Sequence, residues 1–540
     1  MLGFRIVWAT VMLLSALLTA KLMLRYFNPW ISFAGPALAL AFPSHIAVKI
    51  LDYNTTAVVF LILGAMLWTS AYRQKGKYQI LLAAAAGMTS FLATTCRIPV
   101  VAICLLPIVT VAYDYICGVK AEGRLQVVLA FMAAYLTGLV IFFVTLYANG
   151  LAGNFIATFS SHADSALHSP QEMIDNLVYS GYYYLVPALL ISGLLLIKRL
   201  RSITALNGKY RVIIAYGLTF ALTSFVAITI INLDIVQEAI LQLVADTRQA
   251  LNGPYYGGER ARLVILAFAV GIVIADVIFN IFDSLANRVS AIAHDRCRMG
   301  VVALFLASLM IPGTQATPAY NINCMSWLII SMAVGVLWLW ITNLAVSKSK
   351  KGYLWASKLG FVALLLLVFC YRVSYNRSPF RDSDIWNLNT VPATTKLWGI
   401  YTTEDRAQTI DLLVQAVKLN SQPGDRILTY ENLPMLYYLT DRLPATNATW
   451  VTESFPRPFR ERLFEDMVNR GRIPKLVVRA TYTTRDANWP TSKSALYWKS
   501  GDQETDPINK YVNENYRVIQ EIDGFQIMLP IDYGNLNDKY

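Results

Sequence analysis

Histidines and carboxylates that lie close together in a sequence can bind a divalent metal ion, and one stretch of this chain has that pattern. His162 and Asp164 form a His-x-Asp pair, and His168 follows shortly after. Imidazole and carboxylate groups are both ligands of transition metals. The alternative interpretation is a solvated acidic loop. The pair Asp382 and Asp384 also suggests a metal site, and its alternative interpretation is an ordinary linker after the last predicted span.

Two acidic residues, Asp114 and Asp276, fall within stretches that are otherwise apolar. An unpaired charge at the centre of a membrane costs at least ~2.5–3.5 kcal/mol, so Asp276 needs either a partner or a proton. It could be the coupling site of a transporter, or it could have a structural role. Asp114 lies close enough to the end of its stretch that we expect it to reach lipid headgroups.

The stretches that must position these side chains are long and apolar. Of the 540 residues, 56% are hydrophobic and 15% are charged, and a soluble protein of this length needs more charge to cover its surface. A hydrocarbon core of ~30 Å requires ~20 apolar residues per helix. The sequence predicts twelve spans, good to about one either way, at 5–24, 31–48, 55–72, 78–95, 98–116, 125–147, 183–197, 212–232, 263–282, 300–312, 325–346 and 354–371.

The distribution of charge predicts the topology, because short cytoplasmic loops of membrane proteins are rich in Lys and Arg. The basic loops are at 73–77, 120–124, 198–211, 283–298 and 348–351, whereas 148–182 contains no Lys or Arg. We therefore expect the loops at 148–182, 233–262 and 313–324 to lie outside, together with everything after residue 371. The net charge of +12 belongs to the apolar part, which argues against a nucleic-acid-binding module.

Residues 372–540 form a second predicted domain. An amphipathic helix is expected at 404–419 and strands at 426–430, 475–480, 516–521 and 524–529. All six cysteines lie at or before residue 370, so no disulfide framework is expected in this domain. The predicted fold class is an all-α polytopic membrane domain of about 11–13 helices over 1–371, followed by an extracytoplasmic α/β domain.

Three segments carry a resemblance to a known superfamily. The first, Tyr53–Trp68, begins a helix with Tyr-Asn and leads to a basic loop; the second is Ala86–Pro99, and the third is Pro423–Pro444 in the tail. The chain resembles the integral-membrane glycosyltransferases of the GT-C superfamily, which contains protein O-mannosyltransferases and the lipid A aminoarabinose transferase. The resemblance implies transfer of a sugar from a polyprenyl-phosphate donor to a lipid, glycan or protein at the outer face of an inner or plasma membrane.

The resemblance also assigns roles to single residues. It implies that Arg97 holds the donor phosphate, and Arg248 and Arg260 are further candidates for that role; the alternative for Arg97 is an interfacial contact with phospholipid headgroups. Arg248 and Arg260 flank a glycine-rich loop containing Tyr255 and Tyr256. That loop could close over an acceptor, as could the loop containing His162, or both could be ordinary surface loops. Whether a divalent cation takes part stays open.

The acidic residue that serves as catalytic base in the superfamily has no matching position in this sequence. Asp52 is the best remaining candidate for a base, and its alternative role is to cap the following helix with its side-chain oxygen. The predicted topology also places Met1 outside without a preceding span. Either the second predicted span does not cross the membrane, or the sequence lacks a first helix and its outer loop. We therefore expect either an N-terminally truncated reading or an inactive member.

Two other function classes fit parts of the sequence. A secondary transporter or lipid-linked-sugar flippase is favoured by the number of spans and by Asp276, and disfavoured by the large outer domain and the lack of inverted repeats. A non-catalytic membrane scaffold whose tail binds glycan or a protein is the third alternative.

Overall fold

The structure is a computed structural model, and its description covers most of the chain. The described residues are 2–41, 53–119, 124–153, 155–156, 174, 178–179, 181–184, 237, 241–245, 257–285, 290–310, 326–346, 358–359, 361–362, 385–430, 433–449, 451, 457–481 and 506–531. The chain divides into two compact units, one comprising Phe4–Asn376 and the other containing Arg377–Tyr540.

The regular elements among the described residues of the first unit are all helices. Its α-helices are α1 (Leu2–Met23), α2 (Pro29–Ala41), α3 (Tyr53–Ala71), α4 (Lys77–Cys96), α5 (Leu106–Ile116), α6 (Arg124–Ala148), α7 (Gly257–Leu285), α8 (Ala291–Ser308) and α9 (Ser326–Val346). A 3₁₀ helix, Ile98–Leu105, joins α4 to α5. Three of the described helical segments are long and apolar enough to cross a membrane: Lys77–Cys96, Arg124–Ala148 and Val264–Ile281.

Small residues on α4 allow its neighbours to approach closely. Ala83, Ala86 and Gly87 are buried along one face, and α4 packs against both α3 and α6. A glycine at such a contact lets two backbones meet because it has no Cβ. A glycine also allows close packing between α2 and α9, where a Cβ on Gly35 would lie 2.6 Å from the Cα of Ser331.

The predicted spans match the helices in their centres but not always at their ends. The stretch 98–116 contains the 3₁₀ helix and α5 rather than one helix, and Pro107 lies in the first turn of α5. The prediction at 300–312 was wrong at its start, since α8 begins at Ala291. The stretches 212–232 and most of 183–197 and 354–371 lie outside the described residues, so the total number of spans stays a prediction.

The second unit contains a mixed five-stranded sheet, and the α/β prediction for this part of the chain is confirmed. The order is β2 (Leu443–Pro444), β1 (Arg426–Tyr430), β3 (Leu476–Ala480), β5 (Phe525–Pro530) and β4 (Tyr516–Ile522). The first three strands are parallel, and β3–β5 and β5–β4 are antiparallel pairs. The helices are α10 (Glu404–Asn420), α11 (Met435–Thr440), α12 (Arg457–Asn469) and α13 (Pro507–Asn515).

Both faces of the central strands β1, β3 and β5 are buried, as expected for strands covered by helices. On one face Ile427, Val478 and Ile527 pack against Leu413 and Val417 of α10. On the other face, Leu428, Val477 and Met528 pack with apolar residues of α12 and α13, including Leu463 and Val512. Consecutive residues of these three strands therefore pack into different cores.

Candidate functional site

Of the residues predicted for the sugar-transfer site, Arg97 is the one whose side chain the structure describes. It lies between α4 and the 3₁₀ helix in an extended conformation, with φ −146° and ψ 102°. The side chain is buried, and Nη2 donates a hydrogen bond of 2.9 Å to the carbonyl oxygen of Met310. Because Met310 follows the C-terminal end of α8, the guanidinium lies at the electronegative end of that helix.

This contact gives Arg97 a structural role that the sequence did not suggest. The hydrogen bond connects the end of α4 to the end of α8, and its two residues are 213 positions apart in the sequence. The predicted phosphate role is compatible with that position but is not tested by it, so it stays a prediction.

The other residues of the predicted site cannot be placed relative to Arg97. Arg260 lies on α7, and its side chain is outside the described part of the structure. The remaining candidates lie outside the described residues: Asp52, His162, Arg248, Tyr255 and Tyr256. The possible metal ligands Asp164 and His168 lie outside them as well, and so do Asp382 and Asp384. Among the residues that are described, no group of three or more His, Cys, Asp or Glu side chains could hold a metal ion.

A group of charged side chains surrounds Asp114, near the end of α5. The Asp114 side chain is completely buried. Its Oδ1 accepts hydrogen bonds of 2.9 Å from both His294 Nε2 and Arg298 Nε, and its Oδ2 pairs with Arg124. The expectation that Asp114 reaches lipid headgroups was therefore wrong, since three side chains from α6 and α8 enclose the carboxylate.

The ion pairs continue from α8 to the loop that follows α3. Arg298 Nη1 donates to Oδ1 of Asp295 at 2.8 Å, and Arg73 Nε donates to Oδ2 of the same carboxylate at 2.7 Å. We refer to Arg73, Asp114, Arg124, His294, Asp295 and Arg298 as the basic-end cluster. Three arginines face two aspartates, so the cluster carries one surplus positive charge before any charge on His294 is counted.

Asp276 of α7 has a charged partner of its own. Arg296 Nε and Nη2 each donate to one of its carboxylate oxygens at 3.1 Å. The Cys297 thiol lies 3.2 Å from Asp276 Oδ2. Of the two alternatives, a partner or a proton, the structure provides the partner, and a bidentate pair is the strong, directional form of a salt bridge. This pairing weakens the part of the argument for a transporter that was based on Asp276.

Sequence reasoning missed the basic-end cluster because it assigned 283–298 to a solvated cytoplasmic loop. The structure instead extends α7 to Leu285 and begins α8 at Ala291. Ser290 caps α8, with its Oγ accepting from the amide of Ala293 at 3.2 Å. A serine before a helix-forming run is a recognisable N-cap signal, and it could have placed His294, Asp295 and Arg298 on a helix.

Comparison with known proteins provides no family assignment: no protein-family model matches the sequence, and no curated protein does.

Proposed function

We propose that this chain is an integral-membrane glycosyltransferase that moves a sugar from a polyprenyl-phosphate donor to an acceptor at the outer face of the membrane. In this proposal the protein is a multi-pass component of an inner or plasma membrane. The unit after residue 376 lies on the extracytoplasmic side, and the donor phosphate binds at the end of α4 where Arg97 is found.

The observation that carries the proposal is the placement of charge along α4. The helix has 20 residues, which at 1.5 Å per residue gives ~30 Å, the thickness of a hydrocarbon core. Lys77 begins the helix, with Arg73 and Lys75 just before it, and Arg97 follows its other end. A membrane-crossing α4 would therefore hold the basic loop at one surface and Arg97 at the other.

The surface of α6 supports a lipid environment for this part of the chain. Leu136, Val140, Ile141, Phe143 and Val144 each expose 51–61% of their surface. A contiguous apolar surface on a helix of 25 residues is costly in water, and it is satisfied by contact with acyl chains.

The proposed chemistry is a displacement at the anomeric carbon of the donor sugar. The acceptor hydroxyl loses its proton to a carboxylate, for which Asp52 is our candidate, and its oxygen bonds to the sugar while the bond to the polyprenyl phosphate breaks. The leaving phosphate gains negative charge, and fixed cations such as Arg97, Arg248 and Arg260 would stabilise it. We assign the loop with Tyr255 and Tyr256, and the loop with His162, to the acceptor side.

Purified full-length protein in proteoliposomes tests the proposal, with a panel of polyprenyl-phosphate sugars as donors and release of polyprenyl phosphate as the readout. We expect turnover with at least one donor. For Arg97→Gln we expect about 10- to 100-fold lower kcat/KM, since a hydrogen bond from a charged group contributes ~1.5–3 kcal/mol. Lys77→Gln is the matched control, because it removes a charge at the opposite end of the same helix.

The loss of the Met310 contact makes a second measurement necessary for Arg97→Gln. The thermal midpoint of Arg97→Gln in detergent distinguishes a folding defect from weaker binding of the donor. Arg97→Lys is a second variant, which keeps the positive charge. A folded Arg97→Gln protein with the activity of the unmodified protein would remove Arg97 from the donor site.

Cysteine labelling with a membrane-impermeant reagent tests the topology independently. Asn149→Cys, just after α6, should react in intact cells, whereas Lys75→Cys should react only after permeabilisation. Each cysteine is introduced into a protein whose six native cysteines are replaced by serine or alanine. The reverse labelling pattern would put Arg97 on the cytoplasmic side and contradict the proposed function.

A further inference from the structure

A cavity of about 680 Å³ opens beside the basic-end cluster. Four charged or titratable side chains of the cluster line it: Arg73, His294, Asp295 and Arg298. Ser284 from the end of α7 and Ile292 from the first turn of α8 also line the wall. Its volume is that of a small-molecule site, and it lies at the end of the helices opposite to Arg97.

The charge of the cavity favours an anion. The one carboxylate named in its wall, that of Asp295, accepts hydrogen bonds from Arg298 on one oxygen and from Arg73 on the other. The Arg73 side chain keeps 36% of its surface exposed, and no described residue accepts a hydrogen bond from its Nη1. The surplus positive charge of the cluster is therefore accessible, through the Arg73 side chain, to a ligand in the cavity.

Two sets of uncharged donors face the same space. The Ser284 hydroxyl is buried and has no hydrogen-bond partner among the described residues. A serine hydroxyl can donate to an anion, and a buried polar group without a partner is costly. Ala291 and Ile292 also line the cavity, and the first amides of a helix lack intrahelical acceptors.

The mouth of the cavity is amphipathic. Ile292 is 65% exposed although it stands next to arginine and histidine side chains of the cluster. A phosphate that carries an apolar chain could contact both the charged side chains and Ile292. A free phosphate would leave Ile292 in water. Basic pockets between helices at the cytoplasmic surface of a membrane are typical sites for anionic lipid headgroups.

We propose that this cavity binds the phosphate group of an anionic lipid, held by Arg73, Ser284 and the first turn of α8, with the lipid chain lying against Ile292. The site depends on the membrane placement proposed above but not on sugar transfer. It would fix the end of α3, the end of α7 and the start of α8 to the membrane surface opposite to the proposed donor site.

Lipid binding to the full-length protein in neutral detergent tests the proposal without any sugar donor. The probes are phosphatidic acid, phosphatidylcholine and inorganic phosphate, and the readout is the rise in thermal midpoint that a ligand of the folded state produces. We expect phosphatidic acid to stabilise the protein at concentrations at which the other two probes do not. Apparent affinity for phosphatidic acid should fall about 10-fold in Arg73→Gln.

Lys75→Gln is the matched control, because Lys75 is exposed in the same loop and is not part of the cavity wall. Its affinity for phosphatidic acid should change less than about twofold. Ser284→Ala is the second variant, since it removes a donor without disturbing an ion pair, and it should weaken binding by about three- to tenfold.

Equal loss in Arg73→Gln and Lys75→Gln would overturn the proposal, because it would reduce the effect to nonspecific charge. Equal stabilisation by phosphatidic acid and phosphatidylcholine would overturn it as well. Stabilisation by inorganic phosphate at the same concentration would keep the anion site and overturn its assignment to a lipid. A failed sugar-transfer assay leaves all these outcomes unchanged, so the two proposals fail separately.

Discussion

A Cβ atom on Gly87 would overlap the carbonyl oxygen of Phe131, so α4 and α6 meet backbone to backbone at this point. The neighbouring contact between Gly138 of α6 and the ring of Phe91 is almost as close, with 2.5 Å from a built Cβ to the ring carbons. These two contacts fix the separation of the helices that begin at Lys77 and Arg124.

We expect Gly87→Ala to lower the stability of the protein by about 1–3 kcal/mol or more, because overpacking a close contact forces backbone shifts. The measurement is the unfolding midpoint of purified protein in detergent. Gly153→Ala is the matched control, since a Cβ there has nothing within 4 Å; its stability should stay within about 0.5 kcal/mol of the unmodified protein. A stable Gly87→Ala protein would show that α4 and α6 are further apart than described.

Asp114→Asn tests the energetic weight of the basic-end cluster. Asparagine keeps the shape of the side chain but removes the charge that Arg124 and Arg298 share. Loss of one partner from a buried ion pair costs about 3–5 kcal/mol, so we expect a marked drop in the unfolding midpoint.

Asp405→Asn is the control for that substitution, because Asp405 is an exposed acid in the first turn of α10. It should cost less than about 1 kcal/mol. If Asp114→Asn costs no more than this control, the carboxylate is solvated and the cluster is not a buried network.

The pH dependence of the second unit should reflect Asp506. This carboxyl is 3% exposed and caps α13, with the Asn509 amide 3.4 Å from Oδ2. Burial raises the pKa of Asp506 above its ordinary value of 3.8, and the nearby charge of Arg460 opposes this increase. The folded state then binds the proton more tightly than the unfolded state does. The contribution of Asp506 to stability is therefore fully present below pH 3.8 and is lost as the pH rises through the pKa of this carboxyl in the folded state.

Thermal unfolding of the unmodified protein and of Asp506→Asn, measured from pH 4 to pH 7, checks this sign. The unmodified protein should lose stability relative to the variant as the pH rises. Asp441 is an internal comparison of opposite sign, because a hydrogen bond from Lys396 lowers the pKa of this exposed carboxyl. The stability that Asp441 contributes is present above pH 3.8 and is lost as the pH falls through its lowered pKa, so unmodified protein and Asp441→Asn are compared in a series extended below pH 4. A gain for unmodified protein over Asp506→Asn with rising pH would mean that Arg460 outweighs burial.

The sequence was most informative where a local pattern determines the structure. Strand β1 was predicted at 426–430 and observed at Arg426–Tyr430, and α10 was predicted at 404–419 and observed at Glu404–Asn420. An amphipathic helix has a clear periodicity, and a short apolar run after turn residues such as Pro423 and Gly424 is typical of a buried strand. Strand β2 was not predicted, because two residues ending in Pro444 contain no periodicity and pair only through contact with β1.

Helix ends and charge partners were less accessible to sequence reasoning. Hydropathy marks the apolar part of a helix, so the polar first turns of α8 were assigned to a loop. Asp114 and Arg298 are 184 positions apart, and nothing local indicates that they meet. Arg97 was selected from the sequence as an unusual cation, but its bond to Met310 depends on where α8 ends.

The separation of the basic-end cluster along the chain has a consequence for the order of biosynthesis. Arg124 follows Asp114 by 10 positions, but His294 follows it by 180. At about 5–20 residues per second, a ribosome needs roughly 10 to 35 s to make that intervening segment. During this interval the aspartate has one of its arginine partners and lacks the imidazole and the second guanidinium. The place beside Asp114 that α8 occupies can therefore be filled only after that segment has been made.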